Sequence, residues 1–286
     1  MNLLLCSLLS AALLLPSPGQ AAPPPLRLRV LSFNLRYANT NDKAERSWTT
    51  RREDAAQLIK EDDPDLIGYQ EALRPMLDDL TTRVPGYQEI GVGREDGKTK
   101  GEYSALWVKA GRFTVQESGT FWLSDTPDVP NSMSWGNRIT RICTWARLLD
   151  KPSGTVLHFY NVHLDHESQE ARFKGTAQVL EHLQSRTGPW VLTGDFNAGE
   201  DNPAITLIKG SPLHAVDSWR VLHPDIPAAE SGTFHTFTGV RTGAKIDYIF
   251  VPKSTRLLEA AILHNNRNGH YPSDHFPVRA TLEFTP

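Results

Sequence analysis

Six apolar segments of this chain each carry a polar residue at or beside one end, and that repeated placement constrains the fold more than any other feature. The clearest is Val191-Leu192-Thr193-Gly194-Asp195-Phe196-Asn197. Its apolar and β-branched residues predict a buried strand that stops at Gly194. Residues two apart on an extended chain point the same way, so Asp195 and Asn197 project together while Phe196 turns inward. A carboxylate and an amide side by side suit a base and a water-positioning group. An Asx turn closing the strand is the simpler reading of this segment alone.

A polar residue stands likewise at or beside a strand edge at Asn34, at Glu71, at His163 with Asp165, at Asp247, and at Asp274 with His275. The supporting elements follow from periodicity. Strands are expected at Leu28–Asn34, Asp65–Glu71, Tyr103–Val108, Phe113–Gly119, Arg141–Leu149, Thr155–Val162, Ile246–Val251 and Val278–Phe284. Helices are expected at Arg51–Lys60, Pro75–Arg83, Glu167–Ser185 and Asn202–Lys209, with Phe173, Ala177, Leu180 and Leu183 in the core. Phe121–Asn137 reads as a long irregular stretch, of a length more often functional than idle. Helices and strands alternate early and late, with strands between, which predicts one α/β domain with mixed sheets over 28–286.

Met1–Ala22 stands apart. Its apolar run from Leu3 to Leu15 is short for a bilayer and ends in small residues, as a cleavable secretory signal does. Pro23-Pro24-Pro25 opens an extended spacer over 23–27, and the mature chain is expected to be secreted or periplasmic, without a transmembrane segment. It retains one cysteine, Cys143, expected as a small buried hydrophobe, so no internal disulfide can form. Stability must come from a packed core, which a chain of this length can build. The net charge of −3 gives no basic surplus of the kind that holds long nucleic acid non-specifically.

If the strand ends converge, as ligand-binding loops do in α/β sheets, they bring together carboxylates, amides and imidazoles without an activated Ser or Cys. Hard oxygen donors of this kind suit Mg²⁺ or Mn²⁺. Such a group fits phosphate ester hydrolysis: the cation offsets phosphoryl charge, a carboxylate activates water, and histidines donate to phosphoryl oxygens.

Ser32-Phe33-Asn34-Leu35-Arg36, Ile67-Gly68-Tyr69-Gln70-Glu71, Asn161-Val162-His163-Leu164-Asp165, Gly194-Asp195-Phe196-Asn197, Ile246-Asp247-Tyr248-Ile249-Phe250 and Ser273-Asp274-His275-Phe276-Pro277-Val278 resemble, in order, the motif series of the endonuclease/exonuclease/phosphatase superfamily. DNase I, apurinic endonucleases, deadenylases, inositol polyphosphate 5-phosphatases and bacterial sphingomyelinases are members. The resemblance implies a four-layered α/β/β/α sandwich with its site at one end of two packed sheets. Glu102-Tyr103-Ser104-Ala105, Phe121–Pro127 and Thr233–Phe237 are similar to secreted bacterial members related to the deadenylase-like branch.

Carried over by position, the resemblance makes Glu71 the principal metal ligand, with Asn34 and Asp274 near the metal. It makes Asp195 the water-activating carboxylate, Asn197 its orienting partner, His163 and His275 the phosphate-contacting histidines, and Asp247 the holder of His275. Arg172, Arg141 and Glu102 are candidates for substrate contacts, with a surface salt bridge as the competing role for each. Trp122, Trp135 and Phe237 divide between stacking on a base or sugar and closing the core, with the core ahead.

The function expected is an exported Mg²⁺- or Mn²⁺-dependent phosphoesterase, a monomer, acting on nucleic acid, a small phosphorylated metabolite or a lipid headgroup. A non-catalytic polyanion-binding descendant of the same fold is the alternative. A calcineurin-like phosphatase would need an early Asp-x-His and a later Gly-Asn-His, and the chain has neither.

Overall fold

The computed structural model describes residues 24–284. The expected signal segment, 1–22, lies outside them, and the first strand already begins at Leu26, inside the expected spacer. Twelve strands form two mixed six-stranded sheets. One sheet contains β1 (Leu26–Asn34), β2 (Leu66–Gln70), β3 (Tyr87–Ile90), β4 (Leu106–Lys109), β11 (Arg256–Ile262) and β12 (Val278–Phe284), in the order β11-β12-β1-β2-β4-β3. The other contains β5 (Phe113–Trp122), β6 (Ile142–Asp150), β7 (Val156–His163), β8 (Trp190–Asp195), β9 (Ala215–Asp217) and β10 (Asp247–Pro252), in the order β5-β6-β7-β8-β10-β9.

Each sheet has one parallel pair at its centre, β1 with β2 and β7 with β8. A parallel pair needs a crossover, here α1 (Trp48–Asp62) and α3 (Gln169–Gln184) respectively. Three shorter helices, α2 (Arg74–Arg83), α4 (Pro203–Lys209) and α5 (Ser218–Leu222), complete the set.

Three apolar clusters define four layers. One, with Leu28, Val30, Leu66, Phe159, Val191, Ile249 and Leu282, fills the space between the sheets. A second joins Phe33, Ile67, Tyr69 and Trp107 to Leu58, Ile59, Leu77 and Leu80 of α1 and α2. The third joins Tyr160, Val162, Leu192 and Phe250 to Val179, Leu183, Ile205 and Ile208 of α3 and α4. The architecture is therefore the α/β/β/α sandwich that the resemblance implies.

Period-two geometry explains why the polar residues cluster. Along β1, Leu28 and Val30 face the opposite sheet, and the same row continues through Ser32 to Asn34. Along β7 that row runs Leu157, Phe159, Asn161, His163, and along β8 it runs Val191, Thr193, Asp195. Each row passes from apolar through neutral polar to a polar or ionisable end. β10 and β12 run antiparallel to β8 and β1, so Asp247 at the start of one, and His275 just before the other, arrive at the same edge.

Several expected elements shift. β4 starts at Leu106 rather than Tyr103, and β5 continues to Trp122, so Trp122 is a buried strand residue and the irregular stretch begins after it. β3, β9, β11 and α5 have no counterpart among the expected elements. β3 and β11 are edge strands with one buried residue each; β3 is short with a polar Gln88-Glu89 centre, and β11 shows no period-two alternation of apolar and polar residues. On α3 the expected Leu180 and Leu183 are buried, together with Ala171, Gly175, Thr176 and Val179, whereas Ala177 is half-buried and Phe173 is exposed.

Candidate active site

Three residues that follow strands toward the common edge have left-handed backbones: Arg36 after β1 (φ 54°), Glu71 after β2 (φ 58°) and Asn197 after β8 (φ 47°). Non-glycine residues rarely adopt this conformation, and it concentrates where a chain must turn a side chain into a site. Asn197 is therefore not extended. Its backbone N–H donates to Asp195 Oδ1 at 2.9 Å, and its side-chain amide donates to the Leu164 carbonyl at 3.0 Å. The Asx turn and the functional pairing are thus the same structure, since the turn places both side chains on one cleft wall.

Asp195 is the centre of the contacts. Asn34 Nδ2 donates to Asp195 Oδ2 at 2.9 Å and to Glu71 Oε1 at 3.1 Å. Its Oδ1 accepts the Arg36 N–H at 2.9 Å, which fixes the amide orientation. Asn34 therefore holds the two carboxylates together through its amide N–H groups, beside the place expected for the metal. Glu71 Oε2 accepts the Tyr37 N–H at 3.1 Å. His163 Nε2 and His275 Nε2 lie 3.6 and 3.8 Å from Asp195 Oδ2. His275 Nδ1 hydrogen-bonds Asp247 Oδ2 at 2.9 Å.

The two histidines are driven in opposite directions. Burial, then the Arg141 and Arg94 guanidinium groups, hold His163 well below the ordinary imidazole range, so it is neutral. Burial also opposes charge on His275, but Asp247, Asp195 and Asp274 overcome it and raise that ring well above its ordinary value. His275 is an imidazolium at neutral pH. Burial, with Asp247 as the next cause, pushes the Asp195 carboxyl up to about 7.

This shift has a stability consequence in metal-free protein. The folded state holds the Asp195 proton over the window from the ordinary carboxylate value, 3.8, to about 7, while the unfolded chain has released it. The Asp195 contribution to stability therefore falls as pH rises through that window. Urea unfolding is expected to show wild type losing stability relative to Asp195→Asn between pH 4 and pH 7. An unchanged difference would show that the carboxyl titrates in its ordinary range.

Glu71, His163, Asp195, Asn197 and His275 line a cleft of about 520 Å³, together with Asp274, Arg36, Tyr37, Arg94, Glu102, Arg141, His166, Phe234 and two isoleucines, while Asn34 and Asp247 are buried behind them. Among the three expected substrate contacts, Arg141 and Glu102 reach the cleft. Arg172 does not line it: its guanidinium is spent on the Asp165 carbonyl and the Gln169 side chain. Trp122, Trp135 and Phe237 also fall outside the lining. Sequence reasoning missed Arg94, His166 and Phe234. Arg94 had a usable signal in the Gly-rich run Gly91–Gly101 that carries it, whereas His166 and Phe234 look like ordinary loop residues.

Glu71, His163 and Asp195 offer ligand atoms within 4.8 Å of one another, and so do Asp195, Asp247 and His275. The first group fits a hard divalent cation better. Both its carboxylates retain free lone pairs, whereas in the second group the His275 ring, bonded to Asp247 Oδ2 and raised well above its ordinary value, holds its proton instead of offering a lone pair. Asp274 falls outside both groups and faces Arg36 at 3.8 Å.

Comparison with known proteins agrees with this geometry. The model of the endonuclease/exonuclease/phosphatase family matches residues 31–275. A crystal structure of a member from Bacteroides thetaiotaomicron superposes with a TM-score of 0.84 at 36% identity, covering 92% of this chain and 97% of that one. The mannosyl-6-phosphatase of the same organism gives 0.82 at 37% identity, covering 90% and 100%. The human Nocturnin catalytic domain gives 0.71 at 21% identity, covering 92% and 96%, a likeness of fold. Matched motif by motif and across both sheets, the chain belongs to the endonuclease/exonuclease/phosphatase family, whose members hydrolyse phosphate esters.

Proposed function

We propose that this chain is an exported, divalent-cation-dependent phosphoesterase that cleaves a small phosphorylated molecule with water activated at Asp195. The observation that carries this reading is the convergence of Glu71, His163, Asp195, Asn197 and His275 on one cleft, with Asn34 and Asp247 bonded behind Asp195 and His275. Export rests on the apolar run Leu3–Leu15 followed by small residues up to Ala22. The small substrate is supported by the net charge of −3 and by the 37% identity to a mannosyl-6-phosphatase.

Each residue has a role that its contacts allow. Asp195, with both oxygens oriented by Asn34 and Asn197, takes the proton of the attacking water. Asn197 lies beside it to orient the phosphoryl group. His275, charged and held by Asp247, donates from Nε2 to phosphoryl oxygens as negative charge accumulates. His163 stays neutral and supplies a hydrogen bond without adding charge. Glu71 and Asp195 would hold Mg²⁺ or Mn²⁺, which when bound supplies neutralisation of the phosphoryl charge. As the P–O bond breaks, the products are an alcohol and a phosphate.

Hydrolysis of p-nitrophenyl phosphate or its bis-ester tests the reading. EDTA is expected to abolish activity, and Mg²⁺ or Mn²⁺ to restore it; full activity after chelation would sink the metal-dependent mechanism. A second readout needs no turnover. At about 100 times its dissociation constant a cation that binds only the folded state adds about 2.7 kcal/mol, which raises the melting temperature by roughly 5–10 °C for a chain of this size. Glu71→Gln is expected to lose most of that rise. An equal rise in the variant would move the cation elsewhere.

A further inference from the structure

The cleft has two flanks with different chemistry. His275, Phe234 and Ile246 stand on the flank of β12 and β10. Beyond β2 and β7, on the flank of β4 and β6, stand Arg94, Glu102, Arg141 and His166, which neither proton transfer nor cation binding uses.

This second flank is built rather than incidental. Arg94 and Glu102 form a two-bond pair at 2.7 and 2.9 Å, largely shielded from solvent. The loop that carries them is braced by its own ladder, with Arg94 N–H donating to the Glu102 carbonyl and Glu95 N–H to the Lys100 carbonyl. Asp96 accepts from the backbone of Lys98 and Lys100, and Trp122 Nε1 donates to the Arg94 carbonyl at 2.7 Å. Arg141 is 95% buried, donates to His166 Nδ1 at 2.9 Å and turns its Nε toward the buried Asp165 carboxylate at 3.8 Å, so it lines the cleft as a fixed cation.

We infer that Arg94, Glu102, Arg141 and His166 form a subsite for the hydroxyls of a polyhydroxylated alcohol, so that the substrate is a sugar phosphate. The inference rests on the phosphoesterase reading and adds to it the part of the substrate that is released. A hydroxyl both donates and accepts. Beyond its two mutual bonds, a fixed guanidinium–carboxylate pair keeps further N–H groups and carboxylate lone pairs, so it offers both functions at once, and Arg141 and His166 extend the set. A nucleobase would ask this flank for a stacking surface, and none of its four residues is an apolar aromatic. Sites built to bond hydroxyls reject analogues lacking them strongly, because buried polar groups are then left unpaired.

The test is a specificity ratio, kcat/KM for a hexose 6-phosphate over that for p-nitrophenyl phosphate, measured on the metal-loaded enzyme. Glu102→Gln is expected to lower the ratio about ten- to hundredfold, the worth of one or two hydrogen bonds to a charged group. Arg94→Lys keeps the charge and breaks the fork, so it is expected to lower the ratio similarly and carries the test if the first variant fails to fold. A ratio unchanged in both variants overturns the subsite while leaving the phosphoesterase standing. A dinucleotide cleaved faster than the hexose phosphate does the same. Hydrolysis of none of these esters overturns both.

Discussion

Asp195→Ala is expected to lower turnover by roughly 10³–10⁴-fold while the protein remains folded. The size follows from what the carboxylate touches. It accepts hydrogen bonds from Asn34 and Asn197, it faces both histidines within 4 Å, and it belongs to both groups of candidate metal ligands. Removing it takes away the base and leaves the Asn34 amide without one of its two carboxylates. Folding should survive, because a carboxyl held near pH 7 by burial and by Asp247 is a site of electrostatic strain, not of net stabilisation. The informative control is His275→Gln, which keeps a polar side chain beside Asp247 but loses the cation. It is expected to cost about 10²–10³-fold, the range for losing one preorganised donor. Single-turnover rates would separate these losses from weaker binding. An Asp195→Ala enzyme with near wild-type single-turnover rates would remove Asp195 from the proton transfer.

The strands carrying the site were legible because burial on both faces demands apolar runs, and a polar residue ending such a run is conspicuous. Asn34, Glu71, His163, Asp195 and Asp247 all stand out in this way, and the structure brings them together. Arg94 and Phe234 did not stand out, because a loop residue has no periodic background against which to show. Edge strands β3 and β11 were missed for a related reason: β3 is four residues with a polar centre, and β11 is bulged between Leu257 and Glu259, which breaks the alternation that marks a strand. Arg172 was misplaced because one helical turn decides whether its guanidinium meets the cleft or the helix's own N-terminal region, and spacing alone does not fix that. The conformations of Glu71 and Asn197 were also beyond the sequence. Nothing about Glu announces a positive φ, and only the surrounding contacts, Asn34 and Tyr37 on the Glu71 carboxylate, hold it there.

Asn161 carries no proposed catalytic role, yet its replacement is expected to have the largest effect on stability. It sits on β7 one step inward from His163, fully buried between the sheets. Its amide donates to the carbonyls of Tyr69 and Ala105 at 2.7 and 3.1 Å, and its oxygen accepts from Gln70 Nε2 and Thr193 Oγ1 at 2.7 and 3.0 Å. One side chain thus ties β7 to β2 and to the residue preceding β4, directly beneath the site. The sheets approach closely here because Gly68 has no side chain; a Cβ at that position would meet Thr193 Oγ1 at 2.1 Å and Asn161 Oδ1 at 2.6 Å. Asn161→Ala leaves the Tyr69 carbonyl without this donor and removes an acceptor from Gln70 and Thr193, which keep weaker or alternative partners. Buried unpaired polar groups cost about 1–3 kcal/mol each, so a loss of about 3 kcal/mol is expected. That corresponds to a fall in melting temperature of roughly 6–12 °C for a domain of this size. Gly68→Ala is expected to destabilise by overpacking the same spot, by about 1–3 kcal/mol. The lock also bears on the chemistry, because it sets how far apart the two sheets hold Glu71 and Asp195, which come from opposite sheets. Asn161→Ala should therefore weaken Mg²⁺ or Mn²⁺ binding in calorimetry even at temperatures where the variant is fully folded. Unaltered cation affinity in a destabilised variant would confine Asn161 to holding the sheets together.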